Sequence, residues 1–169
     1  MRVNLIDKNP FMTPVLNNSK VIVDNSIQNL KFNVMHEKHV EEKLIFKKYI
    51  IKGNKIETYF DREYKTSMRK SPNHYIFLSS LVNLQKMIYL LMCEKFNLSY
   101  NKKDEEKIKI WPTSVDVKMN GIVRKKKDIM QDFELISIYQ ISDNKYSISG
   151  NSTAESTILL GGEALVYLI

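Results

Sequence analysis

The stretch from Ser79 to Phe96, SSLVNLQKMIYLLMCEKF, decides the fold of this chain. Its apolar residues cover more than one stripe of the helix that their spacing predicts. They are Leu81, Val82, Leu84, Met87, Ile88, Leu90, Leu91, Met92 and Phe96. A helix that is apolar nearly all round lies in a core rather than on a surface. Either Ser79 or Ser80 is a suitable N-cap, and Asn97 is a suitable end.

The segments on both sides of this helix have the composition and period of β-strands. Residues 43–61 predict a hairpin, because Gly53-Asn54 can form a two-residue turn between two β-rich runs. Residues 61–75 are charged, contain a proline and predict a loop. After the helix, strands are predicted at residues 108–111, 115–119, 133–141, 146–150 and 164–169. The last of these is a continuous apolar run, which is typical of a strand buried on both faces.

This order of elements predicts an α+β fold in which a curved antiparallel β-sheet wraps around one long central helix, at about residues 79–96. The length of 169 residues fits one domain. We expect that domain to span residues 43–169. Residues 1–42 hold several turn-forming pairs and one candidate strand, Lys20–Asp24, and are expected to form an arm that packs on the core.

The composition argues against several classes of protein. Cys93 is the only cysteine, so no intrachain disulfide is expected and a Cys/His metal site is improbable. The amino terminus lacks the pattern of a signal peptide. No run reaches the roughly 20 apolar residues that span a bilayer. We therefore expect a cytoplasmic protein without a metal and without a membrane span.

The net charge is +7, and its sharpest concentration is the run Arg124, Lys125, Lys126 and Lys127. Such a run could dock a very acidic partner, such as an acyl carrier protein. Nucleic acid would use the same charges on its phosphates, but the remaining lysines are spread along the chain, which argues against it. The run could also be a solvated hairpin end, the commonest fate of such sequences.

Three segments resemble the hotdog superfamily, in which a sheet curls around one helix. They are NHYIFLSSLVNLQKMIYLLM (73–92), IWPTSVDVKMNGIV (110–123) and YSISGNSTAESTILLGGEALVYL (146–168). Within that superfamily the chain looks most like the AfsA and AvrD families of butyrolactone and syringolide biosynthesis. The resemblance implies an enzyme that handles acyl thioesters, with dehydratase-, acyltransferase- or thioesterase-like chemistry. It implies no cofactor beyond the CoA or phosphopantetheine arm that carries the substrate. Because AvrD-type chains resemble two such units in tandem, a single unit implies a homodimer.

The resemblance also suggests catalytic residues. His74 lies in the loop where dehydratase-type hotdogs carry a histidine, and a near-neutral pKa suits that residue type to proton transfer. The glycine of the dehydratase pattern does not follow it. The helix has Asn83 and Gln85 where an acid would be expected, and asparagine cannot act as a general base. These amides would instead orient a thioester carbonyl or a water molecule.

Residues around this loop and helix are expected to contact the substrate. Ser79, Ser80 and Asn83 share one helical face by their spacing, and Tyr75 and Asp61 complete the set. Each has a simpler interpretation. His74 could be an exposed loop residue, the polar helix residues could bond to a neighbouring strand or across a dimer interface, and Asp61 could lie in a solvated turn. A non-catalytic hotdog module that binds an acyl ligand or a protein therefore stays open as the second function.

Overall fold

The structure, a computed structural model, describes residues 31–37, 40–67, 74–98 and 107–169. These residues form seven strands and one helix. In chain order they are β1 (Lys31–Glu37), β2 (Val40–Lys52), β3 (Lys55–Thr66), α1 (Phe77–Lys95), β4 (Ile108–Met119), β5 (Ile129–Ser142), β6 (Lys145–Ala154) and β7 (Ile158–Leu168). The candidate strand Lys20–Asp24 lies outside the described residues.

All seven strands belong to one antiparallel sheet with the order β1-β2-β3-β5-β6-β7-β4. Helix α1 contacts the central strands β3 and β5, β7, and both edge strands, β1 and β4. Seven strands spaced about 4.8 Å apart put the two edges of a flat sheet nearly 30 Å from each other, whereas a helix is about 10 Å wide. The sheet must therefore curl around the helix. This confirms the α+β hotdog architecture that the sequence predicts.

The hairpin around Gly53 is confirmed. Strands β2 and β3 pair along their length up to Lys52 opposite Lys55, and Gly53 has the positive φ of 59° that such a turn requires. Strand β3 continues to Thr66, so the first part of the predicted loop 61–75 is strand instead. Residues 31–42 contribute β1 and the start of β2, so the sheet begins before residue 43, where the sequence places the domain boundary.

Helix α1 begins earlier than predicted. Its N-cap is Ile76, which has extended backbone and no side-chain cap, so neither Ser79 nor Ser80 caps it. Both serines lie inside the helix and are fully buried. The chain leaves the helix at Asn97, which has a positive φ of 52°. That conformation is one that asparagine tolerates better than most residues.

Two strands also differ from expectation. Pro112 does not divide β4, because an irregularity between Pro112 and Ser114 lets the strand continue along β7. Strand β7 is buried on one face only. Its residues alternate between buried and half-buried, so the apolar run at the carboxyl end is not covered on both sides.

The core lies between α1 and the concave face of the sheet, and it includes Met87, Leu91 and Met92 from the helix. The helix face opposite this core remains open. It carries Phe77 and Leu78, which are exposed, and Leu81 and Val82, which are half-buried. Among the described residues no helix is long and apolar enough to cross a membrane.

Candidate functional site

A buried ion pair fixes the amino-terminal half of α1 to the sheet. Arg62 Nε of β3 donates to Glu42 Oε1 of β2 at 2.6 Å, and both side chains are about 1% exposed. Ser79 Oγ donates to the same carboxylate oxygen at 2.8 Å. Charges of this kind are buried in proteins when they are paired and hydrogen-bonded. The buried carboxylate beside α1 therefore comes from the sheet, and both Arg62 and Ser79 bond to one of its oxygen atoms.

A second buried network surrounds the side chain of Gln131 on β5. Gln131 Oε1 accepts from Tyr75 Oη at 3.1 Å and from Asn83 Nδ2 at 2.9 Å. Gln131 Nε2 donates to the Ser80 carbonyl and to Ser152 Oγ, at 3.0 Å and 2.9 Å. Burial raises the pKa of the Tyr75 hydroxyl well above its usual range, although its contact with Ser80 opposes part of that rise. Tyr75 is therefore a neutral donor at any physiological pH.

Two polar atoms in this buried region have no hydrogen bond of normal geometry. They are Ser80 Oγ and Asn83 Oδ1. Asn83 uses its amide nitrogen instead, donating to Thr58 Oγ1 at 3.1 Å as well as to Gln131. The predicted polar face of the helix thus exists, and Ser79, Ser80, Asn83 and Tyr75 do lie together. This polar face is turned towards the sheet. Its hydrogen bonds to β2, β3 and β5 agree with the simpler interpretation, in which these side chains bond to neighbouring strands.

An apolar groove of about 330 Å³ lies on the other side of α1, between the helix and strands β4, β6 and β7. Helix residues Leu78, Leu81, Val82 and Gln85 form one wall. Their spacing of three and four residues puts them on one helix face. Gln85 is exposed, and it is the polar residue that the helix contributes to the described lining of this groove.

The opposite wall of the groove is shaped by glycine. Gly150 of β6 pairs with Gly162 of β7, and both are in phase with the buried residues of their strands. At each position a Cβ atom would collide, at Gly150 with the Phe133 ring at 2.4 Å and at Gly162 with the Ser114 carbonyl oxygen at 2.1 Å. Glycine within a strand often marks such a close approach. The two glycines leave this part of the sheet without side chains that point towards the helix.

Ser149 and Glu163 also border the groove. They pair with each other across β6 and β7, out of phase with the buried residues, so their side chains belong to the outer face. Ser149 Oγ is engaged with Ser137 Oγ at 2.6 Å on that face. The groove is therefore an apolar slot with one amide side chain, which suits an unbranched apolar ligand carrying a polar head.

The remaining predicted site residues lie apart from one another. Asn83 and Gln85 point to opposite sides of α1, so they do not share a site within one chain. His74 is half-buried and immediately precedes Tyr75, whose backbone pairs with Val123. Asp61 forms an ion pair with Lys47 at 2.8 Å and accepts the backbone N–H of Asp128 at 2.8 Å, a structural role on the sheet surface. The catalytic and substrate-binding roles assigned from the sequence stay predictions.

The basic run is exposed along its whole length. Lys125 pairs with Glu155 at 3.0 Å, and the Lys126 carbonyl accepts the backbone N–H of Arg62 at 2.8 Å. The run therefore lies at the surface beside the end of β3, held in place by its backbone. In the described part of the chain no group of three or more His, Cys, Asp or Glu side chains could hold a metal ion.

Sequence reasoning missed Glu42, Arg62 and Gln131. A signal was present for the two charged residues. Glu42 is in phase with the buried Leu44 and Phe46, and Arg62 is in phase with the buried Ile56 and Phe60. A charged residue that keeps the period of a buried stripe predicts a buried partner of opposite charge.

Comparisons with known proteins find likeness in structure only. No protein-family model matches the chain, and no curated protein matches its sequence. A mutant thioesterase from Pseudomonas aeruginosa is 8% identical, with 75% of this chain and 82% of that chain covered and a TM-score of 0.45. A thioesterase from Haemophilus influenzae is 9% identical, with 86% and 84% covered and a TM-score of 0.39. A mutant of the fluoroacetyl-CoA-specific thioesterase FlK is 10% identical, with 61% and 68% covered and a TM-score of 0.39. Likenesses this distant do not identify a substrate or a catalytic residue.

Proposed function

We propose that this chain is an acyl-thioester-handling enzyme and that the acyl chain lies in the groove between α1 and strands β4, β6 and β7. The observation that carries the proposal is the groove itself. Its volume of about 330 Å³ falls within the range of small-ligand sites. Its walls are mainly apolar, which suits a hydrocarbon chain, and its one amide residue, Gln85, suits a thioester carbonyl.

The proposed reaction is hydrolysis of the thioester. Water adds to the carbonyl carbon, the C–S bond breaks, and a carboxylic acid and the free thiol of the carrier leave. Gln85 would donate from its amide to the carbonyl oxygen, and a preorganised donor of this kind is worth roughly 3 kcal/mol in the transition state. The sequence resemblance would assign the proton of the attacking water to His74, which lies in the loop before α1 and is not among the described residues that line the groove.

A panel of acyl-CoA substrates from acetyl to palmitoyl, assayed for free CoA, tests this proposal. We expect turnover of some chain lengths. Leu81→Trp should abolish both binding and turnover, because the indole would fill the groove. Ile136→Trp is the matched control, since Ile136 is exposed on β5 outside the described groove lining. Equal activity of the two variants, or no binding of any acyl-CoA, would contradict the proposal.

A second candidate function is acyl binding without catalysis. It is favoured by the chemistry of the described groove lining, which contains no histidine or cysteine and one carboxylate residue, Glu163, whose side chain belongs to the outer face. Native mass spectrometry after mild purification distinguishes the two functions. A retained acyl ligand together with no thioester turnover would favour the binding module.

The carrier and the assembly belong to the same proposal. The exposed run Arg124–Lys127 would dock an acidic acyl carrier protein, and the binding should weaken steeply as salt is raised. Persistent binding at high salt, or binding of nucleic acid in its place, would contradict this role. The homodimer and a place in AfsA- or AvrD-type biosynthesis are parts of the proposal that rest on the sequence resemblance. The cytoplasmic location is a part that rests on the composition of the sequence.

A further inference from the structure

The groove beside α1 crosses four neighbouring strands of the sheet. Val115 of β4 pairs with Gly162 of β7, Gly162 pairs with Gly150 of β6, and Gly150 pairs with Leu135 of β5. These four residues form one row on the concave face, and the two in the middle have no side chain. From β4 to β5 the row spans three strand spacings, or about 14 Å. The row is therefore a path on which an unbranched chain can lie between the sheet and the helix.

The two ends of this path differ in exposure. At β4, Val115 is 45% exposed, and Pro112 of the same strand is exposed as well. At β5, Phe133 is 3% exposed, and it is the residue that this strand contributes to the described lining of the groove. The groove is therefore open at the edge of the sheet and closed at Phe133. Because Gln85 is also exposed, the polar head that it would bind belongs at the open end.

The ring of Phe133 lies across the inner end of the path. Phe133 is two residues before Leu135, so both side chains are on the same face of β5. A Cβ atom at Gly150 would collide with Cε2 of the Phe133 ring and would lie 2.6 Å from its Cζ. These atoms belong to the far edge of the ring, so the ring reaches over β6 and fills the space above Gly150. Removing the ring would lengthen the groove in the same direction.

We propose that Phe133 sets the length of the acyl chain that the groove accepts. This inference rests on the proposed function and adds a specificity-determining residue to it. A chain that ends before the ring buries more apolar surface with each added methylene. A chain that reaches the ring must leave its further methylenes in water or displace a buried aromatic side chain. The wall therefore discriminates by chain length, which a hydrophobic pocket does through the fit of single methylenes.

Leu135 provides the matched control for this role. It is 3% exposed, like Phe133, and lies on the same face of β5, but it is not among the described residues that line the groove. Truncating either side chain to alanine leaves a cavity in the core and destabilises the fold. Only the cavity of Phe133→Ala is continuous with the groove. Phe133→Leu keeps most of the apolar volume, so it replaces the alanine variant if that variant does not fold.

Calorimetric titration with unbranched saturated fatty acids of increasing length tests the wall. The affinity of the wild type should rise about fourfold for each methylene and then level off at the length that meets the ring. In Phe133→Ala this limit should move to chains about two to four carbons longer, and Phe133→Leu should shift it less in the same direction. Leu135→Ala should keep the wild-type limit. An unchanged limit in the folded Phe133 variants, or an equal shift in Leu135→Ala, would overturn the inference.

The same chain lengths supplied as acyl-CoA thioesters, assayed for free CoA, separate this inference from the proposed function. Fatty acids that bind with a limit set by Phe133, together with no turnover of any thioester, would refute only the enzymatic function. Thioesters that are turned over with the same length preference in the wild type and in the Phe133 variants would refute only this inference. No binding of any chain to the wild type would refute both.

Discussion

Ser79 and Ser80 show, at the scale of single residues, that the role of a buried side chain depends on which neighbour it contacts. Both are fully buried and adjacent on α1. Ser79 Oγ bonds to the Glu42 carboxylate, whereas Ser80 Oγ has no bond of normal geometry. The sequence predicts that these serines are alike, because both are possible caps. The structure separates them through Glu42, a residue of β2 far away in the chain.

Replacing each serine with alanine measures this difference. Ser79→Ala should lower the free energy of unfolding by about 1–3 kcal/mol, because it removes a donor from a buried carboxylate. Ser80→Ala should leave that free energy unchanged or raise it by up to about 1 kcal/mol, because it removes a hydroxyl without a good partner. Urea denaturation of both variants gives the comparison. Equal losses of stability would show that the two hydroxyls have equivalent partners.

Tyr75 predicts a dependence of stability on alkaline pH. Its burial raises the pKa of the folded state above the ordinary value of about 10. Above that pH the unfolded chain loses this proton while the folded chain keeps it. The stability that Tyr75 contributes is therefore complete below pH 10 and falls as the pH rises, by up to about 1.4 kcal/mol per unit. Urea denaturation of wild type and Tyr75→Phe at pH 8 and above pH 10 should show their stabilities converging. A constant difference across this range would contradict the assignment.

At the scale of the elements, the local sequence pattern predicts which helices and strands exist better than it predicts the residues at which they begin and end. The helix, the Gly53 hairpin and the strands after the helix follow from apolar periodicity and turn residues. The start of α1 does not, because Ser79 and Ser80 favour a cap locally while Glu42, Gln131 and the core draw them inside the helix. The continuation of β4 past Pro112 depends equally on pairing with β7, which no local pattern contains.

The groove wall gives an element-scale prediction. Gly150→Ala should lower the free energy of unfolding by about 1–3 kcal/mol, since its Cβ would lie 2.6 Å from the main-chain oxygen of Glu134 as well as against Phe133. Gly121→Ala is the matched control. Its nearest neighbour would be Thr157 Cγ2 at 3.5 Å, and its φ is not in the left-handed region. The control should match or slightly exceed wild type in thermal denaturation. A larger loss in the control than in Gly150→Ala would contradict the close packing of this wall.

At the scale of the whole molecule, the apolar helix and the strands around it were enough to predict a sheet wrapped around a helix. The site was harder to predict, because it depends on which helix face the sheet covers. Asn83 and Gln85 are two residues apart and equally polar, yet one is buried against β3 and β5 and the other lines the groove. Strand order decides this, and strand order is set by pairings between residues far apart in the chain.

The central claim is that the groove between α1 and strands β4, β6 and β7 holds an acyl chain. A crystal structure with a thioether analogue of an acyl-CoA, which cannot be hydrolysed, tests it most directly. We predict that the acyl chain contacts Leu81 and that its carbonyl accepts a hydrogen bond from the Gln85 amide. An analogue bound elsewhere on the protein, with the groove empty or filled by the protein's own side chains, would contradict the claim.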